Sequence, residues 1–180
     1  MTEQARAAIA RLVVDVPDFP EPGVVFKDIA PLLADPDGLA AVVDGLAHAG
    51  RDAEGAPTVD AVVGIEARGF LLGTPVALAL GVGFVAVRKA GKLPRSTHAV
   101  SYDLEYGSAT LEVQQDALRP GQRVLLVDDV LATGGTVAAT RELVERTGAS
   151  VAGVALLMEL SFLPGRATVG DLPVSALVTV

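Results

Sequence analysis

Runs rich in aliphatic residues recur along the chain and predict the strands of a sheet. The runs cover residues 59–65, 82–87, 124–127, 151–157 and 174–180. Helical patterns of apolar residues occupy most of the intervals, so strands alternate with helices. This alternation predicts an α/β fold with a right-handed, mostly parallel central sheet flanked by helices. Ligands of such sheets bind beyond the carboxyl ends of the strands.

The N-terminal part of the chain departs from this alternation. Apolar residues at helical spacing from Ile9 to Val16 predict an amphipathic helix. The proline-rich segment 15–23 cannot be helical; it is either a plain linker or a rigid segment that holds Phe26 in a fixed place, as a stacking platform needs. The sequence has no internal repeat, so we expect one domain over residues 1–180, with an N-terminal hood segment at about 1–34.

The middle of the chain has the features of a lid. Residues 91–101 have no periodicity, whereas 102–106 and 109–113 alternate in type across a Gly-Ser pair and predict a hairpin. A loop joined to a hairpin beside a binding site is the usual construction of a lid, so we expect a flexible lid at about 91–113. Residues 161–170 are predicted to be loop.

The run at 124–127 leads into the strongest candidate site. Asp128 and Asp129 follow where the strand is expected to end, and Ala132–Thr136 then precedes a helical pattern. This layout binds phosphate, because backbone amides, hydroxyls and a helix N-terminus face the anion. The carboxylates suit vicinal sugar hydroxyls or a magnesium ion, directly or through water.

Two plainer interpretations compete with a phosphate site. An ordinary strand-to-helix turn explains the glycines but not the acidic pair. A Walker-B-like strand would need a Gly-x-x-x-x-Gly-Lys-Ser/Thr loop, which the sequence lacks.

Further charged loops follow other predicted strands. Glu66–Gly69 follows the run at 59–65, and Arg88–Lys92 follows the run at 82–87. Parallel strands would bring these loops to the same edge as the acidic pair. A basic cluster in an acidic protein indicates a local anion site, although a solubilising loop would look the same. Acidic and basic loops together indicate a polyanionic substrate.

Composition narrows the function classes. The formal net charge of −8 argues against a general nucleic-acid binder. The chain has no cysteine, which excludes thiol catalysis, and His48 and His98 are too isolated for a zinc-type site. There is no signal-peptide pattern, and the longest apolar stretch, Pro75–Val87, is shorter than the roughly 20 residues of a membrane span. We therefore expect a soluble, cytoplasmic protein that binds neither nucleic acid nor membranes.

Several motifs occur in the order typical of one family. They are Phe19–Asp28, Glu66–Phe70, Val87–Pro94, Tyr102–Gly107 and the central Val127–Thr136. On these motifs, from about residue 16 to residue 160, the chain resembles the adenine phosphoribosyltransferases, a family of type I phosphoribosyltransferases. The resemblance implies the type I phosphoribosyltransferase fold with a flexible hood. It also implies a homodimeric, magnesium-dependent enzyme of purine salvage that converts adenine and phosphoribosyl pyrophosphate to AMP and pyrophosphate.

The resemblance further implies how the donor would bind. Asp128 and Asp129 would bind the ribose hydroxyls. Magnesium would be held mainly by the substrate, with contact to the same pair through water. The 5′-phosphate would lie against Ala132, Thr133, Gly134, Gly135 and Thr136. Pyrophosphate would be bound by Glu66, Ala67, Arg68, Arg88, Lys89 and Lys92, with the peptide bond between Glu66 and Ala67 in the cis form that is typical of the family.

For the base, the resemblance implies a stack of adenine between Phe26 and Leu160. Backbone groups of Val25 and Lys27 would read the edge of the ring. Catalysis would involve Arg68 together with Glu105 and Tyr106 of the hood. Glu105 would serve either as the acid–base group for the purine or as a group that positions the lid.

Other functions remain open on the sequence alone. A hypoxanthine–guanine or xanthine phosphoribosyltransferase shares the central motif but would take 6-oxopurines. A regulator that senses phosphoribosyl pyrophosphate would add a DNA-binding module, for which we see no room in this acidic chain. A generic nucleotide-binding domain would leave the flanking motifs unexplained.

Overall fold

The computed structural model describes residues 2–103 and 108–180. Its N-terminal part contains α1 (Thr2–Leu12), β1 (Val14–Pro17), β2 (Val25–Asp28), α2 (Ala30–Ala34), α3 (Pro36–Ala47) and a 3-10 turn (His48–Gly50). Its central part contains β3 (Ala61–Ile65), α4 (Arg68–Leu80), β4 (Gly83–Lys89), β5 (Thr97–Asp103) and β6 (Ser108–Gln114). The C-terminal part contains β7 (Arg123–Leu131), α5 (Gly135–Arg146), β8 (Ser150–Glu159), α6 (Gly165–Val169) and β9 (Val174–Thr179).

The main sheet of the described residues has seven strands in the order β5-β6-β4-β3-β7-β8-β9. Strands β4, β3, β7, β8 and β9 run parallel, and the β5–β6 hairpin joins β4 in the antiparallel sense. Strand β3 is buried along its whole length, as a strand covered on both faces should be. The predicted α/β architecture with a mostly parallel sheet is confirmed. Of the predicted hairpin, the second strand at 109–113 is confirmed within β6, whereas β5 begins before residue 102 and residues 104–106 lie outside the described residues.

Helices cover both faces of this sheet, and strand β7 sends alternate side chains to each face. Leu125 and Val127 pack with helices α1 to α4 in one core. Val124 and Leu126 pack with α5 and the hairpin in a second core. Each of these side chains is fully buried and contributes about 1.5–3 kcal/mol to stability. Among the helices of the described ranges, none is long and apolar enough to cross a membrane.

The N-terminal helix is shorter than predicted. It ends at Leu12, and Val16 lies instead in β1, paired with Phe26 of β2 in a small antiparallel sheet. Proline has no amide hydrogen and a fixed φ, so Pro17 and the prolines after it prevent the helix from continuing. As a result, the proline-rich segment is anchored to the strand that carries Phe26.

The segments predicted as irregular also contain regular structure. Strand β5 begins at Thr97, within the segment expected to be loop. It begins there because Thr97 pairs with Gln114, the last residue of β6. Helix α6 (Gly165–Val169) lies where a loop was predicted. A helix this short is too brief to produce a helical repeat in the sequence.

Candidate active site at the carboxyl edge of the sheet

Strand β7 extends further than predicted and carries the acidic pair within it. The strand continues to Leu131, so Asp128 and Asp129 are strand residues and do not follow its end. Pairing with β8 holds the extension, because Asp128 lies opposite Leu156 and Leu131 lies opposite Glu159. The carboxylates are thus fixed on a rigid strand beside the start of the next loop.

The loop after β7 has the geometry of an anion-binding helix start. Gly134 is the N-cap of α5 with a φ of +84°, which glycine adopts without strain. The cap has no side chain, so the amides of the first helical turn have no side-chain acceptor from it. The loop also approaches α6 closely, since a Cβ on Gly134 would lie 2.7 Å from the carbonyl oxygen of Gly165. These features favour a phosphate at this helix terminus.

Arg68 pairs with the acidic strand. Its Nε lies 2.9 Å from Oδ2 of Asp129, a residue that is 3% exposed. The guanidinium carbon also lies 5.0 Å from the centroid of the Phe26 ring. Arg68 therefore bridges the acidic pair and the aromatic ring through a charge contact and a cation–π contact.

The acidic pair is electrostatically unusual. Burial raises the pKa of Asp128 well above its ordinary value, and the neighbouring charge of Asp129 raises it further. Burial also raises the pKa of Asp129, although the charge of Arg68 opposes this increase. The Asp129 amide donates to Oδ1 of Asp128 at 2.9 Å. Because burial disfavours the charged forms of both carboxyl groups, hydrogen-bond donors or a cation from a ligand would stabilise them.

One oxygen of this pair lacks a hydrogen-bond donor. Oδ2 of Asp129 is buried and accepts no hydrogen bond from the described residues. Arg68 is close enough to be its ion pair, but its N–H is not directed at that oxygen. A buried acceptor without a donor is rare, and it fits a sugar hydroxyl or a magnesium ion with its water.

Glu66 gathers the basic residues of the neighbouring loops. Arg88 donates from Nε to Oε2 at 3.1 Å, the Lys89 amide donates to the same oxygen at 3.1 Å, and Lys92 pairs with Oε1. Burial of Glu66 opposes its ionisation, but the hydrogen bonds from Lys92, the Lys89 amide and Arg88 outweigh this effect and lower its pKa. The peptide bond between Glu66 and Ala67 is cis, as expected. Glu66 thus holds the side chains of Arg88 and Lys92 and the backbone of Lys89 together in one positively charged cluster.

An aromatic ring lies beside the charged groups. Phe26 packs edge-on against Phe19, with ring centroids 5.1 Å apart. The Nζ of Lys27 lies 2.7 Å from Asp15, so this side chain is engaged outside the site and only its backbone is available inside. The Leu160 amide donates to the Leu131 carbonyl at 3.0 Å, which places Leu160 beside the end of β7. Phe26 and Leu160 both contribute to the lining of the cavity described next.

A cavity of about 390 Å³ brings most of the predicted residues together. Its lining includes Val25, Phe26, Lys27, Glu66, Ala67, Arg68, Lys89, Asp128, Asp129, Ala132, Thr133, Gly134, Thr136 and Leu160. Arg88, Lys92 and Gly135 are not part of the lining, and the first two reach it only through Glu66. Glu105 and Tyr106 lie outside the described residues.

The sequence interpretation missed one polar residue of the cavity, Tyr102. Its hydroxyl lies 3.0 Å from the hydroxyl of Thr136. The sequence offered little to find it by, because residues 91–101 have no periodicity. In the structure Tyr102 lies two residues after the buried Val100 on β5, so the two side chains share a face.

No ready-made metal cage accompanies the acidic pair in the part of the chain that the structure describes. Within residues 2–103 and 108–180, no group of three or more histidine, aspartate or glutamate side chains could hold a metal ion. Magnesium keeps several waters and uses few protein carboxylates when phosphates supply other ligands. Asp128 and Asp129 fit that mode because one of their oxygens lacks a donor.

Comparison with known proteins places this geometry in a family. The model of the phosphoribosyl transferase domain matches residues 33–166. An adenine phosphoribosyltransferase of a Nocardioides species is 70% identical over 169 residues, covering 94% of this chain and 91% of that protein. The adenine phosphoribosyltransferase of Thermobifida fusca is 53% identical over 180 residues, which is the whole of both chains.

Solved structures give the same result. The adenine phosphoribosyltransferase of Rhodothermus marinus superposes with a TM-score of 0.90 at 47% identity, covering 99% of each chain. The Saccharomyces cerevisiae enzyme, complexed with adenine and an imino-altritol bisphosphate, superposes with a TM-score of 0.92 at 40% identity over 98% of this chain and 99% of that chain. Given such relatives along nearly its full length, the chain belongs to the adenine phosphoribosyltransferases, within the phosphoribosyl transferase domain family.

Proposed function

We propose that this protein transfers the phosphoribosyl group of phosphoribosyl pyrophosphate to adenine, releasing AMP and pyrophosphate, and so serves purine salvage. One observation carries the proposal: a single cavity is lined by an acidic pair, an uncapped helix start, basic residues and an aromatic ring. These are the groups needed for a ribose, a 5′-phosphate, a pyrophosphate and a purine. The family supports adenine as the base, since relatives at 53–70% identity carry its name.

The ribose 5-phosphate part of the donor would lie between β7 and α5. Ribose hydroxyls can donate to carboxylates, and Oδ2 of Asp129 is a buried acceptor that has no donor among the described residues. The 5′-phosphate would accept from the amides of Ala132–Thr136 and from the threonine hydroxyls there, with the α5 dipole adding attraction.

The pyrophosphate part would lie along the loops after β3 and β4. Lys89 lines the cavity, and Arg88 and Lys92 adjoin it through Glu66. Arg68 contacts Asp129 through Nε in the structure, so pyrophosphate would either bind the remaining N–H groups of the guanidinium or draw it from that carboxylate. Pyrophosphate carries more charge than one carboxylate and would compete well for these cations.

Adenine would stack on Phe26, with Leu160 on its other face and the Val25 and Lys27 backbone at its edge. In the reaction, a ring nitrogen of adenine forms a bond to the anomeric carbon while the bond from that carbon to pyrophosphate breaks. The nitrogen then loses its proton to a base, for which Glu105 stays the predicted candidate. Positive charge develops on the ribose, so positioning, charge neutralisation and exclusion of water would supply most of the rate.

Magnesium fits this scheme as a partner of the donor. Bound mainly to pyrophosphate and reached by Asp128 and Asp129 through water, it would neutralise charge on the leaving group. A homodimeric assembly and a cytoplasmic location stay predictions. Gel filtration with light scattering would test the first of these.

The decisive experiment measures nucleotide formation from phosphoribosyl pyrophosphate and magnesium with adenine, hypoxanthine, guanine and xanthine offered separately. We expect AMP from adenine and no comparable product from the 6-oxopurines. Turnover of a 6-oxopurine alone would keep the donor site but refute the adenine assignment. Binding of the donor without turnover of any base would favour a sensor of phosphoribosyl pyrophosphate.

A further inference from the structure

Tyr102 joins strand β5 to the first turn of α5. Its hydroxyl lies 3.0 Å from the Thr136 hydroxyl, and both residues are half-buried and line the cavity. A second bond fixes the same strand, because Arg146 near the end of α5 donates to the carbonyl of Ala99 at 2.7 Å. Strand β5 is therefore held at both ends of α5.

The chemistry of a phosphate sets the direction of the bond between the two hydroxyls. Oxygens of an ionised phosphate accept hydrogen bonds, so Thr136 has to donate its only hydroxyl hydrogen to contact one. The Thr136 oxygen is then left as an acceptor, and the hydroxyl that faces it belongs to Tyr102. A donated bond from Tyr102 would hold the Thr136 hydrogen turned away from the tyrosine and free for the phosphate.

We propose that Tyr102 is a positioning residue for the donor: its hydroxyl orients Thr136 toward the 5′-phosphate and links the first turn of α5 to β5. The inference rests on the proposed function, since it needs a phosphate at the start of α5. The same bond would couple occupation of the phosphate site to strand β5. Glu105, the predicted acid–base group, follows Tyr102 by only a few residues in the sequence.

The first test is Tyr102→Phe, which removes the hydroxyl and keeps the ring. We expect the KM for phosphoribosyl pyrophosphate to rise about threefold to tenfold, the effect of one hydrogen bond. The KM for adenine should stay at the wild-type value, and the melting temperature should fall by no more than the few degrees that one hydrogen bond contributes. Ser101→Ala is the matched control. Ser101 lies on β5 beside Tyr102, and the substitution removes its 2.8 Å hydroxyl contact with Thr110 of β6, away from the phosphate loop. This control should keep wild-type kinetics.

The second test is a double-mutant cycle with Thr136→Val. If Tyr102 acts through Thr136, then Tyr102→Phe should have no further effect on donor KM in the Thr136→Val background. Additive effects would overturn the proposal, and so would an equal rise in both KM values with a lower melting temperature. The thermal shift that the donor induces gives a second measure of binding that does not depend on turnover. Absence of AMP formation by the wild-type protein would instead refute the proposed function.

Discussion

Helix α6 contacts the phosphate loop so closely that a side chain at Gly165 has no room. A Cβ at this position would lie 2.7 Å from Cγ of Leu131 and closer still to the carbonyl oxygen of Ala132. Ordinary contacts begin at 3.4 Å, so Gly165→Ala must push α6 and the loop apart by about 0.7 Å or more. The backbone of Gly165 does not have a positive φ, so the expected effect is steric.

The magnitude follows from that displacement. Overpacking of this kind costs about 1–3 kcal/mol, which for a chain of this size lowers the melting temperature by about 3–10 °C. A displacement approaching about 1 Å can cost up to about a hundredfold in catalysis. We therefore expect Gly165→Ala to lower kcat/KM for phosphoribosyl pyrophosphate by about 10-fold to 100-fold. The KM for adenine should change less, because the loop faces the donor.

Steady-state kinetics with each substrate varied in turn, together with thermal unfolding, would measure both effects. Gly83→Ala is the matched control, since a Cβ there meets nothing within 4 Å and its φ is not positive. It should be close to wild type in both assays. Wild-type donor kinetics in Gly165→Ala would refute the view that α6 positions the phosphate loop, even if the variant melted earlier.

Other parts of the site give further predictions. Arg68→Ala should lower kcat/KM for the donor about a hundredfold, with partial recovery in Arg68→Lys; unchanged kinetics would exclude its pyrophosphate role. Phe26→Ala should raise the KM for adenine about tenfold through lost stacking, whereas Phe162→Ala, at a 76% exposed position outside the cavity, should not. Arg166→Ala removes the hydrogen bonds that lower the pKa of Glu159 and should reduce the free energy of unfolding by about 1 kcal/mol at neutral pH, because the pair is bidentate but the Arg166 side chain is half-exposed. A lowered carboxyl pKa stabilises only above that pKa, so the difference in denaturation curves should shrink as pH falls below the ordinary value of 4.5, and a constant difference would point to lost packing instead.

The parallel sheet could be predicted because its signal is local. A strand covered on both faces needs a continuous aliphatic run, and Ala61–Ile65 falls within the run predicted at 59–65. The convergence of the charged loops followed from the rule that parallel strands present their carboxyl ends at one edge. The prediction of the N-terminal helix was wrong at its end, because the apolar residues between Val13 and Val16 fit the spacing of a helix or of a strand. The prolines that follow and the pairing of Val16 with Phe26 favour the strand.

The contacts within the site could not be predicted, because each joins side chains from separate elements. Glu66 looked like a residue of the pyrophosphate loop, but the structure makes it the acceptor for Arg88 and Lys92. The pairing of Arg68 with Asp129 depends on how α4 starts beside β7. Sequence patterns place residues at an edge, but they do not determine which cation meets which carboxylate there.

The charge arrangement explains how an acidic chain can hold its cations ready for a polyanion. The net charge is −8, yet Arg88 and Lys92 are fixed on Glu66 and Arg68 is fixed on Asp129. Partly exposed pairs such as those of Arg88 and Lys92 are worth about 0–1 kcal/mol, so exchanging their carboxylate for pyrophosphate costs little. Asp129 differs because it is buried, and removal of Arg68 would leave an unpaired carboxylate at a much higher cost. If pyrophosphate draws Arg68 away from Asp129, ribose hydroxyls that donate to Asp129 would offset this cost. Under the proposed function, the ribose and pyrophosphate parts of the donor therefore bind as one coupled unit, through the single carboxylate that both processes change.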